Sequence, residues 1–492
     1  MQTTTSKNPV LVNLSWIVFA NIFVKPLWFF FLVFSARILG PEDFGKFNFS
    51  VSFVLIFSIL YELGMDLFTV REVSINKQLS PKLLGTSLII KCFLVPVVTL
   101  IIILTINILG YSGTTIKAVY WSILYIMFIT TANYLRTFFR GFEKINYEAV
   151  TVIIEKILLC LFGGYALIAK LNVVDFLKLL TLGSFFSIII TAAILFKKLV
   201  KPDFSFNLKL ICEVFKKSLP FALMNIFILI YFRIDMVMLS IMKNETMVGL
   251  YSSSYRIMEM LLVIPAIIMI PIYPAMSRLL INDRLKFWEL SQTAVKGMLL
   301  VSIPITLMIF FLAHNFMYLF YGSSDYLLAT PALKILVFAL PFNALTSVFA
   351  TMLAASNRQI LTTRNTGICA GLNIVLNIFL IPQYGFVGAS LATIATEGLL
   401  AAISYFAVVN YFKEKVCQTY MMKFFSLTLV VLVANIFSKM LDLSVYFATA
   451  VSLLFFVAGV FWLGLIEVSV LKLLTPKMII ERFNNGRLSK FD

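Results

Sequence analysis

Three cations stand where cations are costly. Lys25, Arg233 and Arg256 lie inside long apolar stretches of the chain. A charge at the centre of a bilayer costs roughly 2.5–3.5 kcal/mol on insertion scales, so such a residue faces water, a counter-ion or a ligand. Asn21 stands one helical turn before Lys25 and shares its face, and Pro26 follows, freeing a carbonyl and permitting a bend. Arg233 falls on the same helical row as Asn225. These five residues are candidate ligands for an anion. Each cation also has a plainer reading: Lys25 pairs with Glu62, Arg256 pairs with Glu259 three residues on, and the weaker candidate Lys296 snorkels to the surface.

Carboxylates inside apolar stretches are Glu62, Asp66, Glu155, Asp235, Glu259 and Glu397. Any of them could carry a coupling proton or sodium ion. Asp235 and Glu397 are the chosen candidates, Glu397 because it stands mid-helix with no adjacent cation. Arg136, Arg140 and Lys144 recur every four residues and make one basic stripe. The stripe is either a landing strip for an incoming anion or ordinary loop charge. No metal site is expected: the five cysteines are scattered and His314 is the only histidine. No cofactor is expected, since no nucleotide fingerprint or nucleophile elbow occurs.

The elements that carry these residues follow from composition. Of 492 residues, 61% are hydrophobic and 13% charged, about half the charge of a soluble protein. Apolar runs long enough to cross a bilayer core, about 20 residues each, recur from Leu11 to Leu471. They are continuous rather than alternating, so helices satisfy the backbone in lipid. The expected passages are 12–38, 43–68, 83–109, 117–140, 146–169, 173–197, 214–240, 246–272, 287–313, 327–353, 360–381, 385–411, 418–438 and 442–470. The fold class is therefore all-α integral membrane protein with about fourteen transmembrane helices.

The net charge of +17 is no nucleic-acid signal. Lysines and arginines crowd every second loop, notably Arg71–Lys82, Arg136–Lys144, Lys197–Lys217 and Arg278–Lys286. The intervening loops hold only Lys46, Lys117, Lys170, Lys243 and Lys439. The positive-inside rule then puts both termini in the cytoplasm. The polar start, Met1 to Pro9, does not look like a cleavable signal.

The two halves resemble each other. At a shift of 204 positions, Asn21-Ile22-Phe23 falls on Asn225-Ile226-Phe227, Gly45 on Gly249, Phe47 on Tyr251 and Ser50 on Ser254. Phe139–Lys144 and Leu353–Arg358 follow the fourth and tenth helices in the same way. The expected organisation is two pseudo-symmetric six-helix bundles, 1–200 and 201–412, around a central cleft, with two extra helices and a tail in 413–492. Parallel repeats of this kind are a transporter design.

The segments LPFALMNIFILIYFRIDMVMLSIM (Leu219 onward), VGLYSSSYRIMEM and IPAIIMIPIYPAMSRL (to Leu279) resemble the polysaccharide flippase family. This is the Wzx-type branch of the multidrug/oligosaccharidyl-lipid/polysaccharide exporter superfamily. Leu372–Glu397 and the run from Ala36 to Gly45 resemble it too. The resemblance covers nearly the whole chain. It implies alternating-access transfer of a polyprenyl-diphosphate-linked oligosaccharide across a cell inner membrane, for O-antigen, capsule or related polysaccharide. The partners it implies are the lipid-linked oligosaccharide, membrane lipids and other polysaccharide assembly proteins. A lipid II flippase and a cation-coupled multidrug antiporter of the same superfamily are the alternatives. Lys25 in the first helix speaks against a cationic cargo. An enzyme is not expected, because no outer loop is large enough to carry a catalytic centre.

Overall fold

The computed structural model describes residues 9–204, 207–440 and 444–465, with side chains from residue 23 onward and, in the helix ending at Met440, up to residue 435. Among these residues there is no strand. In chain order the helices are α1 (Pro9–Glu62), α2 (Met65–Ile75), α3 (Ser80–Ile108), α4 (Gly113–Gly141), α5 (Ile145–Ile168), α6 (Val173–Lys198), α7 (Leu208–Met242), α8 (Glu245–Leu261) and α9 (Val263–Asn282). They continue as α10 (Arg284–Phe311), α11 (Ala313–Tyr321), α12 (Ser324–Leu327), α13 (Thr330–Leu336), α14 (Ala339–Ala355), α15 (Gln359–Tyr384), α16 (Phe386–Phe412), α17 (Gln418–Met440) and α18 (Val445–Trp462).

Twelve stretches among the described residues are long and apolar enough to cross a membrane. The first, Phe23–Glu62, holds two expected passages, divided at Gly40. Its φ of 75° and ψ of 170° suit glycine, and Pro41 opens the second arm. α17 covers the expected thirteenth passage, so all fourteen have a helical counterpart. Three boundaries differ from expectation. The second passage ends at Glu62, and Leu63-Gly64 separates it from α2. The eighth passage runs on through α9 to Asn282, with one break at Leu262. The tenth starts in the short helices α12 and α13 before α14. Pro331 and Pro341 each sit in a first helical turn, where a missing N–H costs nothing.

The chain forms two compact units, Met1–Ser253 and Ser254–Asp492. This division follows packing and falls within α8. The sequence-based boundary near residue 200 follows the linker instead. In the first unit, Met65, Phe68, Leu84, Tyr134, Phe138, Phe139 and Val214 share one apolar core. The linker after α6 is held down: a Cβ on Gly85 of α3 would collide with the Asp203 carbonyl, and Asp203 N–H donates to Pro81 O at 2.9 Å. In the second unit, Phe424, Leu427, Val431, Phe456 and Val460 of α17 and α18 join the core formed by α10, α14 and α16.

One crossing in the first unit is set by glycine. A Cβ on Gly45 would run into the Glu245 carbonyl, and one on Gly249 into the Pro41 carbonyl. Small residues let helix backbones approach this closely in membranes. Thr115 Oγ1 donates to Glu245 Oε1 at 2.9 Å, and Tyr111 OH donates to Ser240 Oγ at 2.9 Å beside the crossing. Burial pushes the Tyr111 phenol up to about 12, the Ser240 contact pulling it partly back.

Candidate functional site

Lys25 lies on α1 and is exposed, and Pro26 follows it within the helix. The exposed apolar stripe of this arm is Phe23, Phe30, Phe34 and Ile38, spaced by four or seven residues. Lys25 falls off that stripe. Asn21 belongs to α1, but its side chain lies outside the described residues. On α7, Asn225 and Arg233 are half-buried. Asp235, two residues on, is buried and accepts a hydrogen bond from Tyr251 OH at 2.7 Å. These residues belong to the first unit.

Arg136 is a fully partnered buried cation. Its side chain is only 1% exposed, at the point where α4, α5 and α6 meet. Nη1 donates to Glu155 Oε2 (2.7 Å) and Asn133 Oδ1 (2.8 Å). Nε donates to Thr151 Oγ1 (3.2 Å), and Nη2 to Thr151 O (3.1 Å) and Ser187 Oγ (3.4 Å). A guanidinium has five N–H donors, and all five are engaged. Arg136 therefore has no donor left for a ligand, and the structure does not join it to Arg140 and Lys144 as one surface stripe. Arg140 is 45% exposed and bound to Glu148 at 2.7 Å, and Lys144 is exposed at the start of α5. A spacing of four marks a common helix face, but that face turns inward at Arg136, where α5 and α6 supply its partners.

The same carboxylate holds a second cation. Lys156 Nζ lies 3.0 Å from Glu155 Oε1 and 4.6 Å from the centre of the Trp28 ring. Trp28 in turn stacks on Phe31 (5.1 Å), and Phe31 on Phe176 (6.2 Å).

A third charged cluster escaped sequence reasoning. Lys91 of α3 is 5% exposed. Its Nζ sits over the rings of Tyr61 (5.3 Å) and Tyr134 (5.2 Å). Glu62 and Asp66 are the carboxylates whose charge it faces, and Asp66 also faces Arg140. Tyr61 OH and Thr130 Oγ1 are 2.9 Å apart, and Tyr134 OH and Thr69 Oγ1 3.2 Å. Two carboxylates sharing one ammonium can hold a further positive charge. The signal was a lysine inside the apolar run 83–109. Glu62, considered for Lys25, belongs to this cluster.

In the second unit, Arg256 Nη1 pairs with Glu259 Oε2 at 2.7 Å, within α8. Tyr321, beyond α10 and fully buried, feels the Arg256 charge; burial raises its phenol pKa, and the guanidinium lowers it in part. Glu397 of α16 is 1% exposed and lies in a polar patch. There Asn377 Nδ2 donates to Asn373 Oδ1 (2.9 Å) and Asn373 Nδ2 to Thr396 Oγ1 (3.5 Å), while Cys369 faces the Glu397 charge. Lys296 of α10 is buried, with Nζ 4.0 Å from the centre of the Tyr420 ring. Among the described residues no His, Cys, Asp and Glu side chains gather in threes to hold a metal ion.

A family model described as polysaccharide biosynthesis protein matches residues 10–280, and the MatE model matches residues 220–379. The probable low-salt glycan biosynthesis flippase Agl15 of Haloferax volcanii is 25% identical over 378 residues, which cover 76% of this chain and 78% of that protein. The lipid II flippase MurJ, in an inward closed conformation, superposes with a TM-score of 0.74 at 17% identity, over 91% of this chain and 99% of the other. An inward-facing multidrug resistance MATE transporter of the MOP superfamily gives 0.66 at 16% identity, over 79% and 94%. At these identities the structural likeness is one of fold. Since the first family match spans more than half of its length, the chain belongs to the polysaccharide biosynthesis protein family, as a multi-pass helical membrane protein with the fold of the MOP superfamily.

Proposed function

We propose that this protein is a flippase that carries a polyprenyl-diphosphate-linked oligosaccharide from the cytoplasmic to the outer leaflet of the cell inner membrane, for cell-surface polysaccharide assembly. Both termini face the cytoplasm in this reading, and the repeats are 1–200 and 201–412 with 413–492 appended. The observation that carries it is the relation to Agl15 across 78% of that protein's length. The charges agree with an anionic cargo. Lys25, Arg233 and Arg256, with Asn21 and Asn225, offset the diphosphate along its route, which bare hydrocarbon could not. Asp235 and Glu397 are the candidates for ion coupling. Coupling is not required: two negative charges leaving an inside-negative cell gain roughly 4–5 kcal/mol at 100 mV.

The test is a deletion strain complemented with wild type or Lys25→Ala, scored for surface glycan and for protein level. Wild type should restore glycan, and Lys25→Ala at equal level should not. Lost export of a cationic dye with normal glycan would favour the antiporter reading, which rests on the MatE match. Lipid II building up on the cytoplasmic side would favour a peptidoglycan precursor. Normal glycan with Lys25→Ala removes that residue from the route.

A further inference from the structure

We infer that Lys156, held against Trp28 of α1, forms a phosphate-binding subsite inside the first unit that takes the diphosphate of the carrier lipid. The inference rests on the flippase reading and adds a binding position to it. Four observations support it.

The first is charge. Arg136 and Lys156 share the single carboxylate of Glu155. Two cations and one anion leave a net positive charge at the middle of α5, a 24-residue helix. A charge at that depth needs water or a counter-anion. The second is donor count. Arg136 has all five N–H groups engaged. An ammonium has three donors, and Glu155 takes one from Lys156. The third is access. The Lys156 side chain is 19% exposed, whereas Arg136 is 1% and Glu155 3%. Of the three, only Lys156 can meet a ligand.

The fourth is placement. Trp28 holds Nζ at 4.6 Å and is itself fixed on the Phe31 and Phe176 rings. Lys25 precedes Trp28 by three residues on the same helix, so the two share a side of α1. The Lys156 donors that Glu155 leaves open offer a diphosphate charge-assisted contacts at a site with surplus positive charge. A monophosphate at the same position has less charge to offset that surplus.

The experiment uses the full chain in lipid nanodiscs, with undecaprenyl diphosphate and undecaprenyl monophosphate as probes. Lys156→Gln should weaken diphosphate binding about tenfold or more, the loss of one charge-assisted hydrogen bond. Monophosphate binding should change less, and Lys156→Arg should bind the diphosphate within about threefold of wild type. A second measurement needs no variant: bound diphosphate lipid should protect Lys156 from an amine-acylating reagent, read by mass spectrometry. Diphosphate affinity unchanged in Lys156→Gln, or Lys156 acylated equally with and without the lipid, overturns the subsite alone. Wild-type protein that binds neither probe overturns the flippase reading with it.

Discussion

Arg136 and Glu155 form an ion pair inside the first unit, with Nη1 2.7 Å from Oε2 and both side chains almost fully sealed. Burying two charges gains little by itself, but removing one partner leaves the other stranded. Arg136→Met should therefore cost about 3–5 kcal/mol of stability. The double variant Arg136→Met/Glu155→Met should cost less than the two single losses added. Thermal unfolding in detergent, arranged as a double-mutant cycle, reads the coupling. Additive losses would mean the pair does not hold α4 to α5.

The glycine crossing makes a different demand. Gly45→Ala and Gly249→Ala each push a methyl group into opposing backbone, and overpacking of this kind costs about 1–3 kcal/mol. Gly164 has open space around it, so Gly164→Ala is the control and should unfold at the wild-type temperature. Equal melting of all three variants would show that α1 and α8 can part without cost.

Lys91 sits between two carboxylates and two phenol rings. Lys91→Met removes their shared counter-charge and should lower stability by about 2–3 kcal/mol, less than a sealed pair would, because Glu62 and Asp66 are half-buried. Adding Glu62→Gln to Lys91→Met should recover part of the loss. Hydrogen exchange in α2, which begins one residue before Asp66, is the local readout. Unchanged exchange there would assign the cluster no structural role.

Tyr420 covers Lys296 and so ties α17 to α10. Tyr420→Leu should cost about 0.5–2 kcal/mol, the range of a cation–π contact. Cleavage by trypsin at Lys413 and Lys415, just ahead of α17, should quicken. A digestion rate equal to wild type would place the attachment in the apolar core alone.

Much of the fold was legible because lipid imposes a simple code. Each passage needs a long apolar run, and Gly40-Pro41 marked the bend between the first two. The breaks at Leu262 and before α14 were not legible, since neither interrupts hydropathy. The charged residues were harder. Arg136 read as part of a basic stripe, either a landing strip or loop charge, because its spacing puts it in line with Arg140 and Lys144; its burial depends on Thr151, Glu155 and Ser187, which only packing brings to it. Lys91 went unread because its counter-charges stand on two other helices. Trp28 carries no such signal in the sequence, because only packing brings its ring to Lys156.

The glycine crossing is also reciprocal. Gly45 abuts residue 245 and Gly249 abuts residue 41, and each pair of equivalent positions differs by the same 204. Swapping the two partners leaves the contact unchanged. Such reciprocity is how a patch meets its own copy across the dyad of a homodimer. One close approach thus makes the same demand at two positions 204 apart, and a side chain added at either spoils the fit for both helices.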